Sequence, residues 1–386
     1  MKRIGLFLLC IGILCGSDVY AQTEEPTDLP SLISSLRIPT DIELCGERVP
    51  VENQEVRERF EKELLLSLWD RPQVILWLKR SRRYMPTIEQ MLKENGLPED
   101  LKYVAVAESA LRPHVRSGRG ARGFWQFMAG TGKKYGLVIN RRIDERRNLF
   151  ASSRAAIQYF KDLHKTFGSW TLAIAAFNMG EEGLMTEMME QDTDNYYALY
   201  LPLETQRFVF RILSVKMIFS DPARYGFRLN EEDYYPPLTF DRVEVTCERE
   251  MPIQVIAKAA GTHFKVIKDL NPEIRGHYLA KGSHNILVPK GASVGFEARY
   301  ESAAKDNLTN KKERIYVVKE GDNLSSIADR FDVPLTSIII WNRINPRRHI
   351  HPGQRLIIYP NNMKSKKVDA QTRKGEPGTQ TPSKEE

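Results

Sequence analysis

One carboxylate in this sequence falls where carboxylates rarely fall. After Leu97-Pro98-Glu99-Asp100, whose proline and two acids suit a first helical turn, Leu101, Val104, Glu108 and Leu111 recur at spacings of three and four. They share one apolar face, and Ala105 and Ala107 flank the glutamate. Desolvation there favours the neutral carboxyl and raises its pKa, as a general acid near neutral pH requires. The same side chain could instead reach for the helix end or for Arg112.

Two further segments add groups that suit a sugar. Ser117-Gly118, Gly120-Ala121 and Gly123-Phe124-Trp125-Gln126-Phe127-Met128 set small residues beside aromatic rings and an amide, which lets backbone and side chains approach a ligand closely. Trp170 to Met179 is apolar or small nearly all round, so it reads as a buried helix. It ends in Phe177-Asn178-Met179-Gly180 and so delivers an amide to the end of a buried element.

The elements that must position these groups are helical. From Asn53 to Asn95 apolar residues such as Val56, Phe60, Leu64, Leu68, Val74 and Leu78 keep helical spacing, and helical signals continue to about Phe219. Pro72 and Pro86 suit helix starts, and Gly96, Gly168 and Gly180 suit C-terminal caps. Leu111 is expected inside the helix of Glu108.

Composition changes near Tyr234-Tyr235-Pro236-Pro237, and an internal repeat follows. A shift of about 71 positions lays Ala257 on Ala328, Asn271 on Asn342, Pro289 on Pro360, and Ile286-Leu287-Val288 on Ile357-Ile358-Tyr359. Each copy reads as strand, two short helices, strand. In the second these are Ile315 to Lys319, Leu324 to Phe331, Leu335 to Trp341 and Arg355 to Tyr359, and the charged stretch Glu301 to Arg314 separates the copies.

Lys2 and Arg3, the apolar run Ile4 to Leu14 and Val19-Tyr20-Ala21 follow the plan of a cleaved export signal, with Gln22 as the mature start. The run is shorter than the roughly 20 residues that a membrane span needs. Neither Cys10 nor Cys15 follows the small residues of a lipoprotein cleavage site. Cys45 and Cys247 then remain, either as a disulfide or as two unrelated buried thiols. The net charge of +7 is mild, and the Lys and Arg are scattered among nearly as many acids, so nucleic acid is not an expected partner. The seven His show no ligand-like spacing, and no metal or other cofactor is expected.

Glu108-Ser109, Gly123-Phe124-Trp125-Gln126 and Ala176-Phe177-Asn178, in this order and spacing, resemble the lysozyme-like domain of lytic murein transglycosylases, above all the membrane-bound D type. The likeness runs from about Cys45 to Phe219, through Asp144-Glu145-Arg146-Arg147 and Leu203-Glu204-Thr205. The repeat resembles LysM modules, which bind N-acetylglucosamine polymers.

The resemblance implies a mainly α protein, with an all-helical lysozyme-like catalytic domain followed by two small βααβ modules. The plan is a signal peptide over 1–21, a flexible leader over 22–44, the catalytic domain over 45–231, a degenerate module over 243–290, a LysM module over 314–360 and a disordered tail over 361–386. The first module reads as degenerate because Glu250-Met251-Pro252 stands where the second has Gly321-Asp322-Asn323-Leu324. It could bind glycan or serve as a spacer.

The implied reaction cleaves peptidoglycan between N-acetylmuramic acid and N-acetylglucosamine and leaves 1,6-anhydromuramic ends. Glu108 is its acid and then its base. Ser117 would meet the substrate's N-acetyl group, Gln126 and Met128 would line the cleft, and Phe177 and Asn178 belong to the third motif. Glu204 would support the site or pair with Arg207 or Arg211. The run from Asp144 to Arg147 reads as structural ion pairs. One departure stands out, since the family usually has Tyr where this chain has Phe177. The expected partner is peptidoglycan glycan outside the cytoplasm, in the periplasm, with membrane association and oligomeric state left open. A goose-type lysozyme hydrolase and a catalytically silent wall-binding protein are the alternatives.

Overall fold

A computed structural model describes residues 30–311, 315–342, 344–345 and 349–359. The export signal, the leader up to residue 29, Pro360 and the tail lie outside the described residues. Two compact units emerge: one runs to Leu238 and takes in Pro272–Arg275, and the other holds Thr239–Asn271 and the chain from Gly276.

The first unit opens with a short helix α1 (Leu32–Ser35) and a hairpin of β1 (Glu43–Leu44) and β2 (Glu47–Arg48). The hairpin was not expected in an all-helical domain. Its turn is Cys45-Gly46, both at positive φ. The helices α2 (Gln54–Trp69) and α3 (Arg71–Glu94) follow, and Asn53 caps α2 by accepting from the backbone N–H groups of Glu55 and Val56. Pro72 lies in the first turn of α3, where its missing N–H costs nothing. Pro86 starts no helix. α3 runs straight through it, because the buried face Val74, Leu78, Met85, Ile88, Leu92 outweighs one absent hydrogen bond.

A 3-10 turn (Glu99–Leu101) leads into α4 (Lys102–Ser109), which carries Glu108. Leu111 is not in this helix. Ala110 turns left-handed at φ 52° and Leu111 repeats it at φ 57°, so the chain leaves the helix immediately after Ser109. Then come α5 (Ala129–Lys134), α6 (Leu149–Phe167), α7 (Trp170–Met179), α8 (Glu181–Glu190) and α9 (Leu203–Ser220). Gly168 ends α6 and Gly180 ends α7, while Gly96 stands one residue past the cap of α3. Leu172 to Ala176 of α7 are buried, as are Phe208, Phe210, Ile212 and Leu213 of α9. At about 1.5–3 kcal/mol for each large side chain, this burial fixes where the ends of α4 and α7 point.

The second unit contains two similar modules. The first has β3 (Asp241–Cys247), β4 (Met251–Pro252), α10 (Ile253–Ala259), α11 (Phe264–Leu270), β5 (Tyr278–Leu279) and β6 (Gly282–Val288). A helix α12 (Phe296–Lys311) accounts for most of the charged separator. The second module has β7 (Ile315–Val317), α13 (Leu324–Arg330), α14 (Leu335–Asn342) and β8 (Arg355–Ile357). β3 pairs antiparallel with β6, and β7 with β8. The turn at Glu250-Met251-Pro252 forms a second short ladder, β4 with β5, that has no counterpart among the described residues of the second module.

One asparagine locks each module. Asn271 donates to Ile267 O and Leu287 O and accepts from Leu287 N, each at 2.8 Å. Asn342 donates to Ile338 O and Ile357 O and accepts from Ile357 N. The match of Leu287 with Ile357 corrects the repeat in its last strand, where the offset is one residue shorter than in the helices. The buried pair Ile286 and Val288 then falls on Leu356 and Ile358, which are also buried.

Cys45 and Cys247 are both free and buried, the second of the two readings that the sequence left open. Cys247 Sγ lies 3.6 Å from the Tyr300 hydroxyl. Among the described residues no helix is long and apolar enough to cross a membrane.

Candidate active site

Glu108 occupies the last turn of α4, only partly open to solvent. Burial dominates its electrostatics and pushes its pKa up to about 8; Arg211 pulls it down and Glu204 pushes it up. At neutral pH the carboxyl is therefore mostly protonated. Its helix is fixed at the other end, where Asp100 Oδ2 accepts from Lys216 Nζ at 2.7 Å and from Cys45 N at 2.8 Å. Ser109 donates back to Ala105 O, and the two left-handed residues after it cost on the order of 1 kcal/mol each.

The residues after Arg112 form a small ribbon in which Arg116 and Phe127 each bridge Arg122. Ser117 closes its turn, with Oγ accepting from Ala121 N at 3.0 Å, and keeps its own hydroxyl proton to donate. Gln126, at φ 47°, donates from Nε2 to Gly123 O at 2.8 Å and to Val115 O at 3.4 Å, leaving Oε1 uncommitted. Met128 is exposed at the start of α5.

A buried ion pair braces this ribbon. Arg146 grips Asp144 through two hydrogen bonds of 2.8 and 2.9 Å and donates to Gly120 O and Phe127 O, both at 3.0 Å. Burial pushes the Asp144 carboxyl up, but the hydrogen bonds and charge of Arg146 outweigh it and hold the carboxyl below its ordinary value. A Cβ at Gly123 would meet Arg146 O at 1.6 Å, which explains the glycine in that motif. Within this run, Asp144 and Arg146 thus form the structural ion pair read from sequence, while Glu145 accepts from Val138 N.

Phe177 stacks on Phe160 at 4.7 Å and meets Phe127 edge-on at 5.9 Å. Its ring joins α7 to α6 and to the ribbon. Asn178 Oδ1 accepts from Thr205 Oγ1 at 2.9 Å, which leaves its NH2 group to donate elsewhere. The helix that carries both is capped by a carboxylate from the hairpin: Glu47 accepts from Ser169 Oγ, Thr171 N and Thr171 Oγ1, and from Trp170 N.

Glu204 is exposed in the first turn of α9. The ion pairs open to it go elsewhere: Arg207 and Arg211 both reach Glu63 of α2, at 2.5 and 3.9 Å. Sequence reasoning missed Glu63, which is only 3% exposed. The signal was present, since Glu63 follows Phe60 by three and precedes Ser67 by four on the buried face of α2. Among the described residues no cluster of side chains could hold a metal ion.

The chain is similar to known proteins along most of its length. The Transglycosylase SLT domain family matches residues 85–199; the LysM-like domain of lytic transglycosylase MltD matches 239–305, and the LysM domain matches 316–358. The membrane-bound lytic murein transglycosylase D of Escherichia coli K12 is 32% identical over 321 residues, 80% of this chain and 69% of the relative. The same protein in E. coli O6:H1 gives the same values. An inactive mutant of lytic transglycosylase Slt from Pseudomonas aeruginosa aligns at 20% identity and a TM-score of 0.30, over 48% of this chain and 31% of that chain.

Proposed function

We propose, for a chain that belongs to the membrane-bound lytic murein transglycosylase D family and is a lytic transglycosylase, that Glu108 alone supplies both proton transfers of the reaction. The carrying observation is a carboxyl that burial keeps protonated near neutrality at the mouth of a helix end. Glu108 gives its proton to the glycosidic oxygen as the bond from the muramoyl C1 breaks. The substrate's own N-acetyl oxygen bonds to C1 and holds the positive charge, a substrate-assisted route that needs no second carboxylate. The Glu108 carboxylate then takes the proton of the muramoyl 6-hydroxyl, O6 attacks C1 as the bond from C1 to the N-acetyl oxygen breaks, and a 1,6-anhydro ring closes with no water consumed.

In this reading the Ser117 hydroxyl and the Asn178 amide orient the N-acetyl group and the ring, while Gln126, Met128 and Phe177 shape the cleft. Glu204 keeps Glu108 proton-rich through its charge. The catalytic domain spans 45–231, and the modules at 243–290 and 314–360 hold glycan near it. The protein works outside the cytoplasm, where peptidoglycan lies.

The test is digestion of purified peptidoglycan with the protein and its Glu108→Gln variant, read by mass spectrometry. Anhydro-muropeptides that vanish in the variant are expected. Ends heavier by one water would make the enzyme a hydrolase of goose-lysozyme type. Binding without release would leave a silent wall-binding protein.

A further inference from the structure

The ribbon that carries Ser117 also carries charge that the fold does not neutralise. Arg116 and Arg122 face each other across an antiparallel bridge, and like charges so placed are destabilising. Arg122 is 19% exposed and reaches Asp144 at 3.7 Å, yet Asp144 is already held by both ends of Arg146. Burial lowers the Arg122 pKa; Asp144 opposes that, while Arg116, Arg146 and Arg275 add repulsion. Arg147 places a buried Nε on this side with no hydrogen-bond partner. Arg119 stands exposed at the tip of the turn, where Gly120 N donates to Ser117 O. Among the described residues neither Arg116 nor Arg119 has an acidic partner.

A soluble fold gains nothing from this crowding, but an anion between the guanidiniums would relieve it, and arginine forks suit carboxylates. Peptidoglycan carries such groups on the peptides attached to its muramic residues, none on its N-acetylglucosamine, and a free lactyl carboxylate on a muramic residue only where the peptide has been removed. We propose that Arg116 and Arg119 bind a carboxylate of the substrate's stem peptide, so that the enzyme selects glycan bearing peptides over bare glycan. This rests on the proposed function, and it names which form of the polymer the site prefers.

The experiment measures kcat/KM on glycan strands with stem peptides and on the same strands stripped by an amidase, the lactyl carboxylates so freed being capped as methyl amides. It compares the full chain with Arg116→Gln, Arg119→Gln and the double variant, each checked by thermal melt. The expected result is a preference for peptide-bearing strands that falls about tenfold in the double variant, shrinks in high salt, and is partly kept in Arg116→Lys. Equal slowing on both substrates, or an unchanged preference, would overturn the proposal. Binding of the two strand types to Glu108→Gln is measured in parallel. A binding preference that disappears with Arg116 and Arg119 still supports carboxylate recognition if turnover is absent, whereas that absence would count against the proposed reaction.

Discussion

At the scale of single residues, the proposed chemistry depends on how little positive charge reaches Glu108. Arg211 opposes its burial, but Glu63 shares Arg211 with Arg207 and so draws that charge toward α2. The folded pKa of Glu108, about 8, lies above the ordinary 4.5. The acid form is therefore complete below 4.5 and disappears as pH rises through about 8. The alkaline limb of kcat/KM should follow it. In Glu63→Gln a negative charge is lost and Arg211 is released, two changes with the same sign, so the limb should move to lower pH. A pH–rate profile that keeps its alkaline limb would sink this link. Phe177 gives a second test. A hydroxyl restored by Phe177→Tyr adds about 0.5–1.5 kcal/mol if it reaches Glu108 or the sugar. Turnover should then change less than about tenfold, with the limb again moving down, and an unchanged profile would show that the hydroxyl has no role.

Elements position these residues through contacts that sequence spacing reveals unevenly. The capping of α2 by Asn53, the buried nature of α7 and its end at Gly180 follow from local rules, since cap residues and apolar periodicity act within a few positions. What was hidden is long-range. No local pattern shows that Glu47 completes the N-terminus of α7, or that Arg146 holds the backbone at Gly120 and Phe127. Leu111 was misplaced because its spacing fits the helix, while Ala110 has already turned left-handed. Glu108 itself was legible, being a carboxylate on an apolar face. Ser117 and Asn178 stood out as polar groups in segments that suit a sugar, but their expected roles came only from family resemblance, and their hydrogen-bond partners from neither. The Glu47 cap makes its own prediction. In Glu47→Ala the first turn of α7 loses its acceptors, at a cost of roughly 1.5–3 kcal/mol. The melting temperature should drop, and turnover should fall with it because Asn178 rides on the same helix. A melt identical to that of the parent would mean that water replaces the carboxylate.

For the whole molecule, the proposed division of work between the two units can be tested by cutting the chain. Pro272–Arg275 belongs with the first unit, where Ile274 bridges Ile143 and Asp144 N donates to Glu273 O. The second module has its own core of Val318, Ile327, Ile338, Leu356 and Ile358. Ending the chain after Lys311 should leave the melt of the first unit unchanged and weaken sedimentation with insoluble peptidoglycan. Cleavage of short soluble strands should persist. Equal loss on soluble and insoluble substrate would show that the second module supports catalysis and not only adhesion.

The paired asparagine locks also determine how the protein ages. Spontaneous deamidation begins when the nitrogen of the following residue attacks the asparagine amide and closes a succinimide, and conversion to aspartate would replace an NH2 donor with an oxygen. Each module would then set oxygen against two carbonyls that it now holds together. Asn271 is followed by Pro272, whose nitrogen bears no hydrogen, so that route is chemically blocked; Asn342 is followed by Arg343 and has no such shield. Peptide mapping after prolonged warm storage should find aspartate at position 342 well before 271. On the proposed function, the protein would lose its hold on glycan before it loses its catalytic unit.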